Sequence, residues 1–199
     1  MEREGRIELV ITQNVDRLHQ RAGSKRVIDL HGRLDRVRCL DCANLIARED
    51  LQTWLITHNE LVPASEQQSR PDGDRDLSDD NLATFRVPHC NACTGVLMPE
   101  VVFFGGTVPA ARVESCKAAI ERADALLVIG SSLKVYSGYR FCRHAQASGK
   151  PIAIINPGIS RADDLADIRF NADAGQLLPA ALAMLNPQEA DPYAHDNPS

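Results

Sequence analysis

The sequence lacks the features that mark membrane-spanning and general nucleic-acid-binding proteins. No apolar run approaches the roughly 20 residues that a helix needs to cross a bilayer. The formal net charge of -5 provides no basic field for nucleic acid. The opening residues, MEREGRIELVIT, place acids beside bases and contain no apolar signal region. We therefore expect a cytoplasmic protein with no membrane partner and no nucleic-acid partner.

Four of the six cysteines stand in two close pairs. Cys39 and Cys42 form one C-x-x-C pair, and Cys90 and Cys93 form the other. A two-residue gap lets both thiolates of a pair face one ion, and two pairs complete a tetrahedron around zinc. Because four thiolates leave no position for water, we predict a structural zinc site.

The other cysteines and the histidine beside the second pair have simpler interpretations. Cys116 and Cys142 lie on predicted helices and are interpreted as small core residues. His89 adjoins Cys90 and could compete as a ligand, but four sulfurs already satisfy zinc.

Short apolar runs alternate with helical patterns along most of the chain. Strands are predicted at 8–12, 27–31, 125–129, 152–155 and 168–170, and helices at 15–22, 48–62, 110–123, 139–148 and 174–185. The pattern predicts an α/β fold, a Rossmann-like doubly wound parallel sheet with an inserted small zinc-binding module. The predicted domains are 1–32 with 105–185 for the sheet and 33–104 for the zinc module. Residues 63–80 are interpreted as an exposed loop and 186–199 as a disordered tail.

Polar or small residues follow three of the predicted strands, where parallel sheets bind ligands. The runs are Gln13-Asn14-Val15-Asp16, Gly130-Ser131-Ser132 and Asn156-Pro157-Gly158. Amide, hydroxyl and backbone N–H groups at these ends can contact ribose or phosphate. Local alternatives stay open, since Asn14 or Asp16 could cap the next helix and Gly130 could simply make a tight turn.

His31 follows a predicted strand and precedes a glycine. A histidine at a strand's carboxyl end suits general-base chemistry near neutral pH. Taken alone, the position is more typical of a structural histidine.

Six motifs in order resemble the sirtuins, which are NAD-dependent protein lysine deacylases. They are TQNVDRLHQRAG, DLHG, the two cysteine pairs, MPEVVFFG, GSSLKVYSG and IINPG. The resemblance covers roughly residues 7–185. RVRCLDC, VPHC, VVFFGGTV, GSSLKVYSGYRF and SRADDLA look most like the class II branch.

The resemblance implies a role for each matching residue. His31 matches the general base that activates a hydroxyl of the nicotinamide ribose. Residues implied to bind NAD are Gln13, Asn14, Val15 and Asp16 at the nicotinamide and its ribose, Gly130, Ser131 and Ser132 at the phosphate–ribose region, Asn156, Pro157 and Gly158 at the adenosine ribose, and Ala174 at the adenine. Val101, Val102 and Phe103 match the strand that pairs with an acyl-lysine peptide or protein.

The implied reaction transfers an acyl group from lysine to ADP-ribose. The acyl-lysine carbonyl oxygen attacks C1' of NAD as nicotinamide leaves, and His31 helps the ribose hydroxyl attack the resulting imidate. The implied products are free lysine, nicotinamide and an acyl-ADP-ribose. Two alternatives stay open: ADP-ribosyl transfer to protein, and a catalytically impaired, zinc-stabilised fragment.

Two departures from the family pattern affect these expectations. The family begins with a Gly-rich GAG-I-S strand–loop–helix and an Arg-containing cofactor loop, and the sequence opens at the strand before TQNVD. The resemblance therefore describes an N-terminally incomplete sirtuin, for which we expect an unpaired sheet edge, weak NAD binding and low turnover. Gly106 stands where members often carry an acidic residue, which leaves the acyl preference open. The sequence gives no expectation for the oligomeric state.

Overall fold

The computed structural model describes residues 1–59 and 84–185, which fall into two compact units. The first unit contains Met1–Gln13, Gly23–Leu30 and the described residues from Thr107 onward. The second unit contains Asn14–Ala22 and the described residues of His31–Gly106. Residues 14–22 thus cluster with the cysteine-bearing unit, whereas the sequence-based boundaries place them in the sheet domain.

Strands and helices alternate through most of the described chain. In chain order they are β1 (Val10–Thr12), α1 (Leu18–Arg21), β2 (Val27–Asp29), β3 (Gly32–Cys39), β4 (Leu45–Ala47), α2 (Arg48–His58), β5 (Leu97–Val101), α3 (Ala110–Arg122), β6 (Leu126–Ile129), α4 (Tyr136–Ala147), β7 (Ile152–Ile155), β8 (Ile168–Phe170) and α5 (Ala174–Leu185). Among the described residues, no helix is both long and apolar enough to cross a membrane.

The first unit is built on parallel strands, as the apolar runs predict. β1 pairs with β2 in parallel, and β6, β7 and β8 form a second parallel sheet in that order. The Rossmann-like α/β class is therefore confirmed, although these strands lie in two sheets. Among the described strands β6 pairs with β7 alone, and its Leu127 and Ile129 are each 42% exposed.

The core of the first unit lies where β7 meets the helices. Ile152 and Ile154 of β7 are almost completely buried, as are Cys116 of α3 and Cys142 of α4. Burial raises the pKa of both thiols to about 11, so each remains a protonated, apolar packing residue at neutral pH.

The second unit contains an antiparallel sheet in the order β4-β3-β5. The helix α2 packs on β3 and β4. The sequence-based assignments did not include β3 or β4. Charged residues such as Arg33, Asp35 and Arg36 interrupt the apolar alternation of β3, so the strand gives no clean period of two.

Most other predicted elements are present with shifted ends. β8 and α5 match their predicted ranges, whereas α1 has four residues instead of the eight predicted at 15–22. The loop predicted at 63–80 and the tail predicted at 186–199 lie outside the described residues.

Candidate functional site

The four paired cysteines of the second unit come together as the spacing predicts. Their sulfur atoms all lie within 4.8 Å of one another, with Cys39 and Cys93 Sγ atoms 3.5 Å apart and Cys42 and Cys90 Sγ atoms 3.7 Å apart. Zinc–sulfur bonds of about 2.3 Å in a tetrahedron place neighbouring sulfurs roughly 3.8 Å apart. The cluster therefore fits zinc with a closed, four-sulfur shell.

The environment of the cluster shifts the pKa values of two of its thiols in opposite directions. Backbone N–H donation from Ala92, with further hydrogen bonds from neighbouring groups, lowers the pKa of Cys90 to about 6. The backbone amide of Gly95 acts to lower the pKa of Cys93, but the adjacent thiols of Cys42 and Cys39 raise it to about 12. A cation among the four sulfurs would stabilise the thiolate form, and zinc is the ion that four-cysteine sites bind.

Tight turns hold each cysteine pair in this geometry. Ala43 and Thr94 have left-handed backbones, with φ of 60° each, and their amides donate to the carbonyls of Cys39 and Cys90 at 3.1 and 2.8 Å. A Cβ at Gly95 would lie 2.9 Å from the Cys39 sulfur. The second knuckle therefore requires glycine after Thr94.

His31 and the cluster lie at opposite ends of β3. His31 directly precedes Gly32, the first residue of the strand, and Cys39 is its last. Eight residues of strand span on the order of 20 Å, so a metal at the cysteines cannot act on bonds near His31. This separation agrees with the predicted structural role of zinc.

The backbone at His31 is tied to the strand that the resemblance assigns to the peptide. The carbonyl of His31 accepts a hydrogen bond from the amide of Val102 at 2.7 Å, and Gly32 pairs with Val101. Among the described strands β5 is at the edge of its sheet, and Phe103 beyond it is 54% exposed. An edge strand next to the predicted base suits an extended peptide that adds as a further strand.

In the first unit, two predicted NAD-binding runs meet although 118 residues separate them. Gln13 Nε2 donates to Ser131 Oγ at 2.9 Å, and the amide of Leu133 donates to the same oxygen at 3.2 Å. These two bonds use both acceptor lone pairs of the hydroxyl. The Ser131 O–H can therefore still donate one hydrogen bond, which suits a ribose or phosphate oxygen.

Gly138 in the first turn of α4 makes room for the Gln13 side chain. A Cβ at this position would lie 3.0 Å from the Cδ, Nε2 and Oε1 atoms of Gln13 alike. Equal distances mean that the Cβ would sit over the flat face of the carboxamide. The motif VYSGYRF was assigned no site residue from the sequence, because the contact depends on tertiary structure.

The three residues that follow Gln13 have different environments. Asp16 Oδ1 accepts from the amide of Leu18, the first residue of α1, at 3.0 Å in an Asx-type turn, while the N-cap position itself is Arg17. Asn14 is exposed and Val15 is half-buried, with the Val15 carbonyl accepting from the amide of Leu34 at 3.0 Å. All three belong to the second unit.

The third run, 156–158, forms a loop whose backbone is hydrogen-bonded to nearby asparagine side chains. The buried Asn156 side chain donates to the carbonyls of Pro157 and Gly158 at 3.3 Å each, and the Gly158 amide donates to Asn171 Oδ1 at 2.9 Å. Gly158 has φ of 91°, which favours glycine. Ala174, the predicted adenine contact, is the first residue of α5 and half-buried.

The 130–134 loop, which joins β6 to α4, is strained at one residue. Leu133 adopts φ of 51° in the left-handed region, while its side chain is buried. For a residue other than glycine this conformation costs about 1–2 kcal/mol, and such strain persists only where the surroundings hold it in place.

Comparison with known proteins gives one consistent result. The model of the Sir2 family matches residues 1–137. An NAD-dependent protein deacetylase of Xanthomonas campestris pv. campestris (strain 8004) is 50% identical over 192 residues, 96% of this chain and 64% of the relative. The NAD-dependent protein deacylase SIR4 of Monosiga brevicollis is 42% identical over 93% of this chain and 62% of its own length.

The solved structures give the same picture. A Sir2–p53 peptide–NAD+ complex superposes with a TM-score of 0.71 at 32% identity, covering 95% of this chain and 67% of that one. The chain spans about 64% of the length of the first curated relatives that it matches.

Proposed function

The chain belongs to the Sir2 family, and on that premise we propose that the protein is an NAD-dependent protein lysine deacylase. Acyl-lysine proteins or peptides are the proposed substrates, and the acyl group passes to ADP-ribose as nicotinamide is released. The names of the relatives, an acetylated peptide in one similar structure and a propionylated peptide in another support this proposal.

Bound NAD supplies an activated nicotinamide–ribose bond and a ribose hydroxyl that becomes the acyl acceptor. On the protein side, Ser131 presents its O–H to a ribose or phosphate oxygen, with Gln13 fixing its orientation. The edge of β5 and residues 101–103 hold the acyl-lysine peptide by main-chain hydrogen bonds. His31, tied to Val102 through its carbonyl, takes the proton of the ribose hydroxyl.

One observation carries the proposal: the hydrogen bond between Gln13 and Ser131. It joins two segments that were assigned to NAD separately, one at the nicotinamide ribose and one at the phosphate–ribose region. The bond holds both side chains beyond the carboxyl ends of their strands, which is where parallel sheets bind ligands.

The test is turnover of an acetyl-lysine peptide with NAD, following free lysine peptide and nicotinamide together by mass spectrometry. His31→Ala should lower kcat by about 100-fold or more while the calorimetric Kd for NAD stays nearly unchanged. His144→Ala, whose ring contacts Glu121 on the surface, is the matched control and should keep wild-type turnover.

The products distinguish the competing functions. Acyl-ADP-ribose together with free lysine supports deacylation, whereas ADP-ribosylated protein with no loss of acyl-lysine identifies a transferase. NAD binding without either product identifies a non-catalytic module. Parallel acetyl, propionyl and longer acyl peptides establish the acyl preference.

We also propose that the protein works in the cytoplasm. All six cysteines lie in the described part of the chain and none forms a disulfide, which suits a reducing compartment. Fractionation of cells that express a tagged protein tests this location.

A further inference from the structure

One arginine contacts the strained 130–134 loop on both sides of Leu133. The amide of Arg161 donates to the Ser132 carbonyl at 2.8 Å, and Arg161 Nη1 donates to the Lys134 carbonyl at 3.1 Å. Ser132 and Lys134 are the two neighbours of Leu133, whose φ of 51° marks the strained point. The arginine therefore fixes the peptide groups that flank the unusual conformation.

The Arg161 side chain is itself held by an aromatic ring. Its Cζ lies 4.4 Å from the centroid of the Tyr139 ring in α4. A guanidinium is planar, so it can lie on a ring with its face while its edge donates to a carbonyl. A lysine ammonium has no such face, and the same position would lose one contact or the other.

Arg161 also belongs to the segment that follows the predicted adenosine-ribose loop. It lies three residues after Gly158, next to Ser160, whose amide donates to Asp163 Oδ2 at 3.2 Å. Asp163 in turn accepts from Arg169 Nε at 3.0 Å. Arg161 thereby connects the 130–134 loop to the segment that directly follows the run 156–158.

We propose that Arg161 is a positioning residue for NAD, which holds the 130–134 loop so that Ser131 and Ser132 face the cofactor correctly. The inference rests on the proposed function. The guanidinium already bonds to a backbone carbonyl and covers a tyrosine ring, so it acts on the cofactor through the loop. Arg161 was not among the residues that the sequence predicted, because SRADDLA supported only the resemblance.

The first measurement is hydrogen–deuterium exchange of the ligand-free chain, followed by mass spectrometry in peptides that contain Leu133. Arg161→Ala should speed exchange in this loop by about tenfold, since it removes one hydrogen bond and one cation–π contact. Arg161→Lys should resemble Arg161→Ala. Arg143→Ala, an exposed arginine of α4, is the matched control and should leave the loop unchanged.

The second measurement is the NAD affinity and turnover of the same variants. Loss of positioning should raise the Kd and KM for NAD by about tenfold, with kcat nearly unchanged, because the interaction supports binding equally in the ground and transition states. The increase should persist in high salt, since no direct pairing of Arg161 with phosphate is involved.

Three results would overturn the inference. Unchanged loop exchange in Arg161→Ala would show that the arginine does not hold the loop. Full recovery of affinity by Arg161→Lys, with a loss in high salt, would identify a direct charge contact. Failure of the wild-type chain to bind NAD would refute the proposed function and the role toward NAD together, and the exchange data would show whether Arg161 still holds the loop.

Discussion

Replacing Gly32 with alanine tests how the backbone at the predicted base is held. Gly32 has φ of 89°, and a Cβ there would lie 2.1 Å from the carbonyl oxygen of Glu100 and 3.0 Å from Val101 Cα. Both neighbours are backbone atoms of β5, so no side-chain rotation relieves the clash. β3 and β5 must move apart at the point where the Val102 amide donates to the His31 carbonyl.

Two costs add for Gly32→Ala. The left-handed conformation costs an alanine about 1–2 kcal/mol. Parting the strands weakens one or two ladder hydrogen bonds, worth about 1 kcal/mol each. We expect the free energy of unfolding of the second unit to fall by about 3 kcal/mol in total. The backbone displacement should be largest beside His31.

Gly105→Ala is the matched control for this change. Gly105 lies in the same unit, has φ of 82° and would place its Cβ in open space. It therefore carries the conformational cost without the clash, and the entropy that alanine removes from the unfolded chain cancels between the two variants. The expected difference between them is about 1–2 kcal/mol.

Urea unfolding measures the difference. The sole tryptophan, Trp54, lies in α2, which packs on β3 and β4, so its fluorescence reports the second unit. The measurement is made with zinc present and at one pH, since Trp54 stacks on His58. Equal stabilities of Gly32→Ala and Gly105→Ala, within about 0.5 kcal/mol, would refute the steric argument.

Three further predictions concern the metal, the pH dependence and the cofactor. Cys90→Ser should reduce zinc content from about one per chain to below about 0.2, while the buried Cys116→Ser keeps its metal, as elemental analysis would show; equal metal contents would contradict the assignment. Hydrogen bonding from Arg33 lowers the pKa of Asp35 below 3.8, so Asp35→Asn should cost about 0.5 kcal/mol at pH 7. Because the folded pKa is the lower one, this difference should vanish as pH falls below 3.8 through the folded pKa in urea titrations, and a pH-independent difference would count against the pairing. Gly138→Ala should raise the NAD Kd about fivefold by displacing the glutamine carboxamide, with the thermal midpoint nearly unchanged because alanine favours the helix; an unaltered Kd would argue against the contact.

The sequence predicts best where one local pattern decides the structure. The apolar run at β7 is largely buried in a parallel sheet, as its composition predicts, and the cysteine spacing allows few arrangements besides one metal shell. Sirtuin membership, read from motifs in a fixed order, is confirmed by the family match.

Prediction fails where distant contacts override local preference. The helix predicted at 15–22 begins only at Leu18, because the Val15 carbonyl is bonded to Leu34 and Asp16 accepts from the Leu18 amide. α4 begins three residues before its predicted start. Gly138 lies in its first turn, and a glycine there predicts no helix. The close approach of the Gln13 carboxamide explains why a glycine stands at this position.

The roles of individual site residues lie between these cases. Gln13 and Ser131, which the resemblance assigns to NAD, are joined by a hydrogen bond in the first unit, and their role toward NAD stays a prediction. Arg161 carries no local pattern that marks it, since its three contacts reach Ser132, Lys134 and Tyr139 in other segments. Its importance emerges only from the folded chain.

The free side of β6 has a consequence for how the protein behaves at high concentration. In the described part of the chain, no strand lies beside the outer hydrogen-bonding groups of β6, and its Leu127 and Ile129 are partly exposed. Such an apolar strand is a template for another strand. We expect two copies to pair along this side, and the paired fraction to grow with concentration and with temperature, since apolar attraction weakens on cooling. Purified chain should therefore elute earlier from a sizing column as it is concentrated, and Leu127→Lys should keep it at the monomer position.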